Sequence, residues 1–444
     1  MDIYSGELSI SIADDFKTFL SNIAVDNAAT ISLRYGEITR ALNKKFRATE
    51  SDTANTLQVG SYGRWTAIKG ISDLDMLYIM PNASWIGYSN GGQSRLLSET
   101  RAAIIARYPR TEVVVDRLVV QVVYQKFHIE VQPVFEQEDG SFLYPDTYSG
   151  GSWKTTKPRD ELDAIAGGDL LKNRNLRRLC KMTRAWKNKH GVPMGGLLID
   201  SLADRFLAGT EDFDDKSYLY YDYMSRDFFE YLSELPKQAY FAALGSGQRV
   251  KVKKNFQGKA KRAYELSLAA IDATDDTLRN ERWRKVFGRG FPPAVVAERV
   301  EKSVLAEDNF SARNTEEFIE DQFPVDIRYP IDLDCEITQN GFRPFKLRES
   351  LRHKQPIVFK RSLKFYVAND RSIPGRYDLY WKVLNRGSEA IRRDQIRGQI
   401  VADAGYKQRV EQSNFRGDHV VECYAVQNGV VVASDRIRVP IRPG

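Results

Sequence analysis

Asp73 and Asp75 are the side chains of this 444-residue chain whose type and spacing best suit chemistry. They stand i, i+2 in Ser72-Asp73-Leu74-Asp75, just ahead of the apolar run Met76 to Met80, which reads as a strand. Successive strand side chains point to opposite faces, so both carboxylates project from the same one. Side by side they repel each other unless a cation lies between them. Oxygen-only ligands suit Mg²⁺, which takes one or two carboxylates plus substrate phosphates. Upstream lies the glycine-rich turn Val59-Gly60-Ser61-Tyr62-Gly63-Arg64, which offers a hydroxyl and backbone N–H groups to those phosphates. Together these parts describe a site for nucleotidyl transfer.

The chain carries its own control. Asp332-Leu333-Asp334 repeats the spacing without a glycine–serine turn ahead of it and reads as ordinary surface carboxylates. A calcium loop is excluded, because it needs oxygen ligands at alternate positions and a glycine at the sixth, where Leu77 and Tyr78 follow here. A third carboxylate is needed to hold the metal that activates the attacking hydroxyl. The candidate is Glu130, an acid flanked by Ile129 and Val131 in the β-rich stretch Leu118 to Phe135. The alternative is a glutamate facing solvent on an edge strand. Pro133 disrupts the ladder, which suits a strand end or edge. His128 shares a face with Glu130 and reads as a packing or hydrogen-bonding histidine rather than a ligand.

A helix is expected over Asn175 to His190, with Leu176, Leu179, Cys180 and Thr183 at apolar-face spacing. Arg177, Lys181 and Arg184 then form a cationic stripe one turn apart. From Lys172 to Lys189 there are eight Lys/Arg and no acid, which fits a polyphosphate better than a solvated helix of alternating charge. A nonspecific basic face is the other reading.

Gly60-Ser61, Asp73-x-Asp75 and Glu130-Val-Gln-Pro together resemble the core of the bacterial CD-NTases, relatives of animal cyclic GMP-AMP synthase and oligoadenylate synthase. The chain departs from that pattern in having Glu130 where Asp is the commoner choice. It also has Gly195-Gly196-Leu197-Leu198-Ile199-Asp200 where the family carries a Ser-Tyr-h-h-Glu type segment, so base contacts made there do not carry over. The resemblance implies that Lys181, five residues before Trp186, touches the nucleotide's phosphates. Trp153 to Pro158, and Trp283 to Gly288 with Phe291-Pro292, resemble further landmarks without catalytic role. Trp381 to Gly387, Glu389-Ala390 and Arg397-Gly398 resemble the adenylyl/guanylyl and SMODS C-terminal sensor domain. A structural appendage or oligomerisation module is the alternative for that region.

The elements that must position these residues follow from the pattern. Phe16 to Phe46 is helix-rich, residues 57 to 135 hold mixed strands with a helix near Gln93 to Tyr108, and Leu162 to about Phe287 is largely helical. Glu301 to Glu320 reads as a charged linker or connecting helix. Beyond it, Leu363 to Val367, Tyr377 to Val383, His419 to Val426 and Val430 to Ser434 read as strands separated by turn signals at Asn385-Arg-Gly387 and Asn428-Gly429. That pattern predicts a small antiparallel β-sandwich. The expected fold is α+β: a nucleotidyltransferase lobe with a mixed sheet at 1–160, a helical lobe at 161–300, a linker at 301–320 and a β-rich sensor-like domain at 321–444. The resemblance makes the first lobe polymerase-β-like.

Composition bounds the rest. Hydrophobic residues make up 42 % of the chain, enough for sizeable cores, without a run long enough to span a membrane. No basic, apolar leader is evident at the N-terminus. Three cysteines and four histidines lack zinc spacing, so a reduced, cytoplasmic protein with structural thiols is expected. Neither a P-loop nor a serine-hydrolase motif is present. The net charge of +7 is clustered: Arg249 to Arg262 carries seven Lys/Arg without an acid, and Gly341 to Lys360 six against Glu349 alone. Such patches attract polyanions, either nucleic acid or the nucleotides themselves.

The expectation is therefore a metal-dependent nucleotidyltransferase. Asp73, Asp75 and Glu130 would hold two Mg²⁺ or Mn²⁺ ions, Gly60 and Ser61 would anchor phosphates, and Lys181 would pair with the triphosphate tail. By resemblance the product is an oligonucleotide second messenger, read by a downstream effector in anti-phage defence. Synthesis of linear oligonucleotides and nucleotidylation of a protein or RNA terminus use the same site and stay open.

Overall fold

The structure is a computed structural model that describes residues 12–125, 127–294, 316–338, 343–353, 355, 357–385 and 388–442. These form two compact units, one of residues 12–189 and 194–294, the other of residues 316–442 with 190–193.

In the first unit, α1 (Ile12–Asn22) and α2 (Ala28–Arg47) precede a seven-stranded sheet. Its strands are β1 (Thr56–Gln58), β2 (Asp73–Ile79), β3 (Glu112–Val115), β4 (Val120–Val123), β5 (His128–Glu136), β6 (Phe142–Asp146) and β7 (Ser152–Thr156). The order is β1-β2-β5-β4-β3, with β6 pairing β5 and β7. β2 and β5 run parallel and the other pairs are antiparallel, so the sheet is mixed as expected. The one-turn helices α3 (Gly60–Gly63) and α4 (Trp85–Tyr88) and the longer α5 (Gln93–Arg107) fill the connections.

Period-two burial explains which face becomes the site. Leu74, Met76 and Tyr78 of β2 and Ile129 and Val131 of β5 pack with Ile31, Ile38 and Leu42 of α2 and Leu96 and Ile104 of α5 in one core. The alternate residues, Asp73 and Asp75 with His128 and Glu130, must then share the opposite face. Pro133 does not end its strand: β5 continues to Glu136 and Pro133 pairs with Tyr78. It does lie past Val131, the last residue paired with β4, and before Phe135, the first paired with β6. The missing N–H thus falls where β5 has a neighbour on one side only.

Helices α6 (Pro158–Leu171), α7 (Asn175–His190), α8 (Gly196–Ala208), α9 (Tyr221–Glu234), α10 (Gln257–Ile271) and α11 (Asp276–Phe287) follow, interrupted by a hairpin of β8 (Tyr240–Ala242) and β9 (Arg249–Lys251). The Trp283 landmark is a packing element. Its ring stacks on Phe287 at 5.7 Å and meets Phe16 of α1 edge-on at 5.4 Å, tying the ends of this unit together. Trp153 likewise packs edge-on against Phe135 and Trp85.

The second unit is a sandwich of two antiparallel four-stranded sheets. One has the order β11-β10-β12-β15, from β10 (Asp332–Thr338), β11 (Phe345–Lys346), β12 (Ser362–Asn369) and β15 (Gln408–Gln412). The other has the order β14-β13-β16-β17, from β13 (Asp378–Leu384), β14 (Arg397–Ala402), β16 (Gly417–Gln427) and β17 (Val430–Ile441). Leu333, Phe365, Trp381 and Val421 meet in its core, where Cys335 and Cys423 are also buried as free thiols. The Asp332-Leu333-Asp334 copy is not a pair of surface carboxylates. Asp334 is buried and accepts from the backbone N–H of Cys335 at 2.8 Å and Arg348 at 3.2 Å. Most of the expected linker, 301–315, and part of the Asn385–Gly387 turn lie outside the described residues.

Asn428 and Gly429 join β16 to β17 with φ of 51° and 74°, the left-handed pair a tight hairpin turn requires. A Cβ on Gly429 would meet no atom within 4 Å, so its cost is conformational alone. Gly429→Ala is expected to destabilise this unit by about 1–2 kcal/mol, seen as a lower urea midpoint by fluorescence, with nucleotidyl transfer unchanged.

Candidate active site

Parallel pairing sets Asp73 opposite His128 and Asp75 opposite Glu130. Asp73, His128 and Glu130 offer ligand atoms that all lie within 4.8 Å of one another. His128 Nε2 stands 2.6 Å from Asp73 Oδ1 and 3.5 Å from Glu130 Oε1. Burial opposes the charged imidazole, but the hydrogen bonds and charges of Asp73 and Glu130 outweigh it and raise its pKa to about 9. The two acids on either side thus favour the charged form of the imidazole between them. Gln121 of β4, in register with Glu130, donates from Nε2 to Glu130 Oε1 at 3.0 Å and aims that carboxylate. Sequence reasoning took His128 as a packing or hydrogen-bonding residue, without naming its partners, and did not single out Gln121. Only the pairing of three strands brings both to the acids.

Asp75 is held differently. Gly60 has a φ of +64°, and a Cβ built on it would fall inside the Asp75 carboxylate. Glycine is thus required twice over, for the backbone and for the close approach of the acid. Val59 N–H donates to the Asp75 carbonyl at 3.1 Å, closing the turn onto β2. The Ser61 carbonyl accepts from Thr66 and Ala67 N–H at 2.9 and 3.0 Å, which stiffens the exit of the turn.

Beneath the turn lies a charge network that the motifs alone did not reveal. Asp200 of α8 is fully buried and accepts from Arg64 Nε at 2.8 Å, Arg184 Nη1 at 2.6 Å, Arg184 Nη2 at 3.0 Å and Thr66 Oγ1 at 3.1 Å. Burial would raise its pKa, but Arg184 and then Arg64 hold it at about 2. Arg64 also faces Glu161 at 3.5 Å. The acid at position 200 was legible only as a departure from a familiar segment.

This network corrects the reading of Arg177, Lys181 and Arg184 as one cationic stripe. Arg184 is buried on Asp200, and Arg177 is engaged with Asp169 at 3.4 Å and with the Arg64 carbonyl at 3.1 Å. Lys181 lies between them with no carboxylate partner among the described residues. Its pKa is lowered, first by burial and next by the neighbouring Arg177 charge. Trp186, farther along the same helix, is fully buried against Phe229 at 5.2 Å and fixes the helix in its core. The expected apolar face of α7, Leu176, Leu179, Cys180 and Thr183, is buried.

Residues 10–168 match the family described as the Second Messenger Oligonucleotide or Dinucleotide Synthetase domain. Residues 313–442 match the Adenylyl/Guanylyl and SMODS C-terminal sensor domain. The chain belongs to the CD-NTases. It is a nucleotidyltransferase with a C-terminal sensor domain, and its fold is α+β, as the sequence implied. Among solved structures, CdnC of E. coli MS115-1 in a CdnC:HORMA-deltaN complex is 14 % identical, with a TM-score of 0.50 over 63 % of this chain and 98 % of that one. DncV of Vibrio cholerae, with the linear intermediate 5' pppA(3',5')pG, is 13 % identical, with a TM-score of 0.43 over 63 % and 87 %. CdnG of Bradyrhizobium diazoefficiens with GTP is 12 % identical, with a TM-score of 0.45 over 64 % and 96 %. At these identities the likeness concerns the fold. No curated protein is significantly similar in sequence. Among the described residues, no helix is long and apolar enough to cross a membrane.

Removing the charge of Asp200 would leave two buried guanidiniums without a counter-ion. Asp200→Asn is expected to lower stability by about 3–5 kcal/mol, read as a fall in the urea midpoint of the full chain. The depressed pKa makes this contribution present at neutral pH. It is lost only as pH falls below the ordinary carboxylate range towards about 2.

Proposed function

We propose that this CD-NTase joins nucleoside triphosphates, in a metal-dependent reaction, into a cyclic oligonucleotide that a separate effector reads in anti-phage defence. The reading is carried by one observation: the in-register parallel pairing of β2 and β5 gathers Asp73, Asp75, His128 and Glu130 on one face against the Gly60 turn. The synthetase family matched over residues 10–168 supplies the product class. A proposed division into a catalytic lobe at 1–160, a helical lobe at 161–300, a linker at 301–320 and a sensor-like domain at 321–444 accompanies this reading.

The donor set fits Mg²⁺ or Mn²⁺. The ligand atoms of Asp73, His128 and Glu130 lie within 4.8 Å of one another, and Asp75 stands opposite Glu130 on the neighbouring strand. Asp73, Asp75 and Glu130 would hold two ions, with His128 able to ligate once deprotonated. Bound there, the metal supplies charge neutralisation at the pyrophosphate leaving group and a lower pKa at the acceptor hydroxyl.

The chain's own residues supply positioning, which is most of what phosphoryl transfer needs. Gly60 lets the turn approach Asp75, and Ser61 would offer its hydroxyl to the phosphates. Gln121 holds Glu130 in one orientation. Lys181 would pair with the triphosphate tail, because Arg177 and Arg184 on either side are already engaged and it makes no ion pair among the described residues. The basic stretches around 249–262 and 341–360 would attract polyanions, nucleotides or nucleic acid.

Purified protein incubated with labelled ribo- and deoxynucleotide triphosphates and Mg²⁺ or Mn²⁺ is expected to form small phosphatase-resistant products, absent in Asp73→Asn and Asp75→Asn. Full activity in Asp75→Asn would overturn the assignment. A phosphatase-sensitive ladder would mean linear oligomers, and label retained on a macromolecule would mean nucleotidylation of a terminus. Lys181→Ala is expected to raise the KM for nucleotide about tenfold or more, in steady-state kinetics, with the fold intact by circular dichroism.

A further inference from the structure

Gln121 of β4 stands directly opposite Glu130 of β5 in an antiparallel pair. Side chains so placed leave the sheet next to each other, with their Cβ atoms about 5 Å apart. Glutamine and glutamate carry the same number of carbons, so their polar ends arrive at the same height above the strands. There Gln121 Nε2 donates to Glu130 Oε1 at 3.0 Å. His128 Nε2 lies 3.5 Å from that same oxygen. Glu130 Oε2, by contrast, makes no hydrogen bond or ion pair among the described residues. One oxygen of the third acid is thus held by neighbouring side chains, and the other keeps its lone pairs.

The length of this acid gives the contact its weight. Glutamate has one more rotatable bond than aspartate, so more rotamer freedom must be lost to fix it in one place. An aspartate at 130 would end one carbon–carbon bond nearer the sheet, below the Gln121 carboxamide. Gln132, the next residue of β5 on this face, is no substitute. Its Nε2 is directed to the Leu118 carbonyl at 3.4 Å.

We propose that Gln121 is a positioning residue matched to the glutamate at 130, fixing Oε1 so that Oε2 is the oxygen presented to the metal. This role rests on the reading of Asp73, Asp75 and Glu130 as the metal-holding acids. Amide and acid then act as one unit, because the amide serves only an acid long enough to reach it. Groups that orient a metal ligand from behind change metal affinity or activity by about 10–100-fold.

The test introduces Gln121→Met, which keeps the side chain's length but removes its donor, into the full chain with either Glu130 or Glu130→Asp. Mn²⁺ binding without nucleotide is read from the electron paramagnetic resonance of the free ion, and nucleotidyl transfer from steady-state kinetics. With glutamate at 130, Gln121→Met is expected to weaken Mn²⁺ binding and to lower kcat, each about tenfold or more. The KM for nucleotide should stay as in the parent. In the Glu130→Asp chain the same substitution should change neither quantity further. Parent-like Mn²⁺ affinity in Gln121→Met would overturn the proposal. So would an equal loss in both chains, which is what general damage to β4 would produce. Asp73→Asn separates the two levels: if it leaves Mn²⁺ binding and transfer intact, the assignment of the acids has failed, and this role with it.

Discussion

A carboxylate with no exposed surface is tolerable only when its charge is matched, and Asp200 meets that condition with two arginines from different parts of the chain. Arg64 closes the glycine turn beside Asp75, and Arg184 stands on the basic helix α7. One buried ion therefore binds the turn to α7 and α8. It also determines which cations of the basic helix are already paired. With Arg184 on Asp200 and Arg177 on Asp169, Lys181 is the member of the stripe without a carboxylate.

The acidic face depends on the same logic at the level of strands. Burying Leu74, Met76, Ile129 and Val131 against α2 and α5 forces their neighbours to the other side, and the parallel register aligns acid with histidine and acid with acid. That concentration of negative charge would be costly alone. His128 lies between Asp73 and Glu130, which favour its charged form, and Gln121 steadies Glu130 from the next strand. Gly60 completes the site by having no side chain where the Asp75 carboxylate comes to rest.

The C-terminal unit has its own core, closed by Trp381 and Phe365 across two sheets. Between its sheets Glu411 is shared by Arg397 and Arg409, so one acid ties two strands' cations together.

Much of the architecture was legible from local pattern. The helix at Asn175–His190, the helix at Gln93–Arg107, the mixed strands and the sandwich with its Asn428-Gly429 turn all follow from periodicity and turn chemistry, which neighbouring residues specify by themselves. So were the residue types of the acids and the need for glycine before them. Tertiary structure decided the partners. Whether Arg184 and Arg177 were substrate cations or structural ones depended on Asp200, 16 residues along from Arg184, and on Asp169. Whether His128 packed or hydrogen-bonded, and to what, depended on β5 lying parallel to β2, and Asp334 changed from surface acid to buried acceptor once β10 folded into the sandwich. Backbone conformation is a short-range property and can be read along the chain. The state of a charge is set by what surrounds it in space, and only the fold brings those groups together.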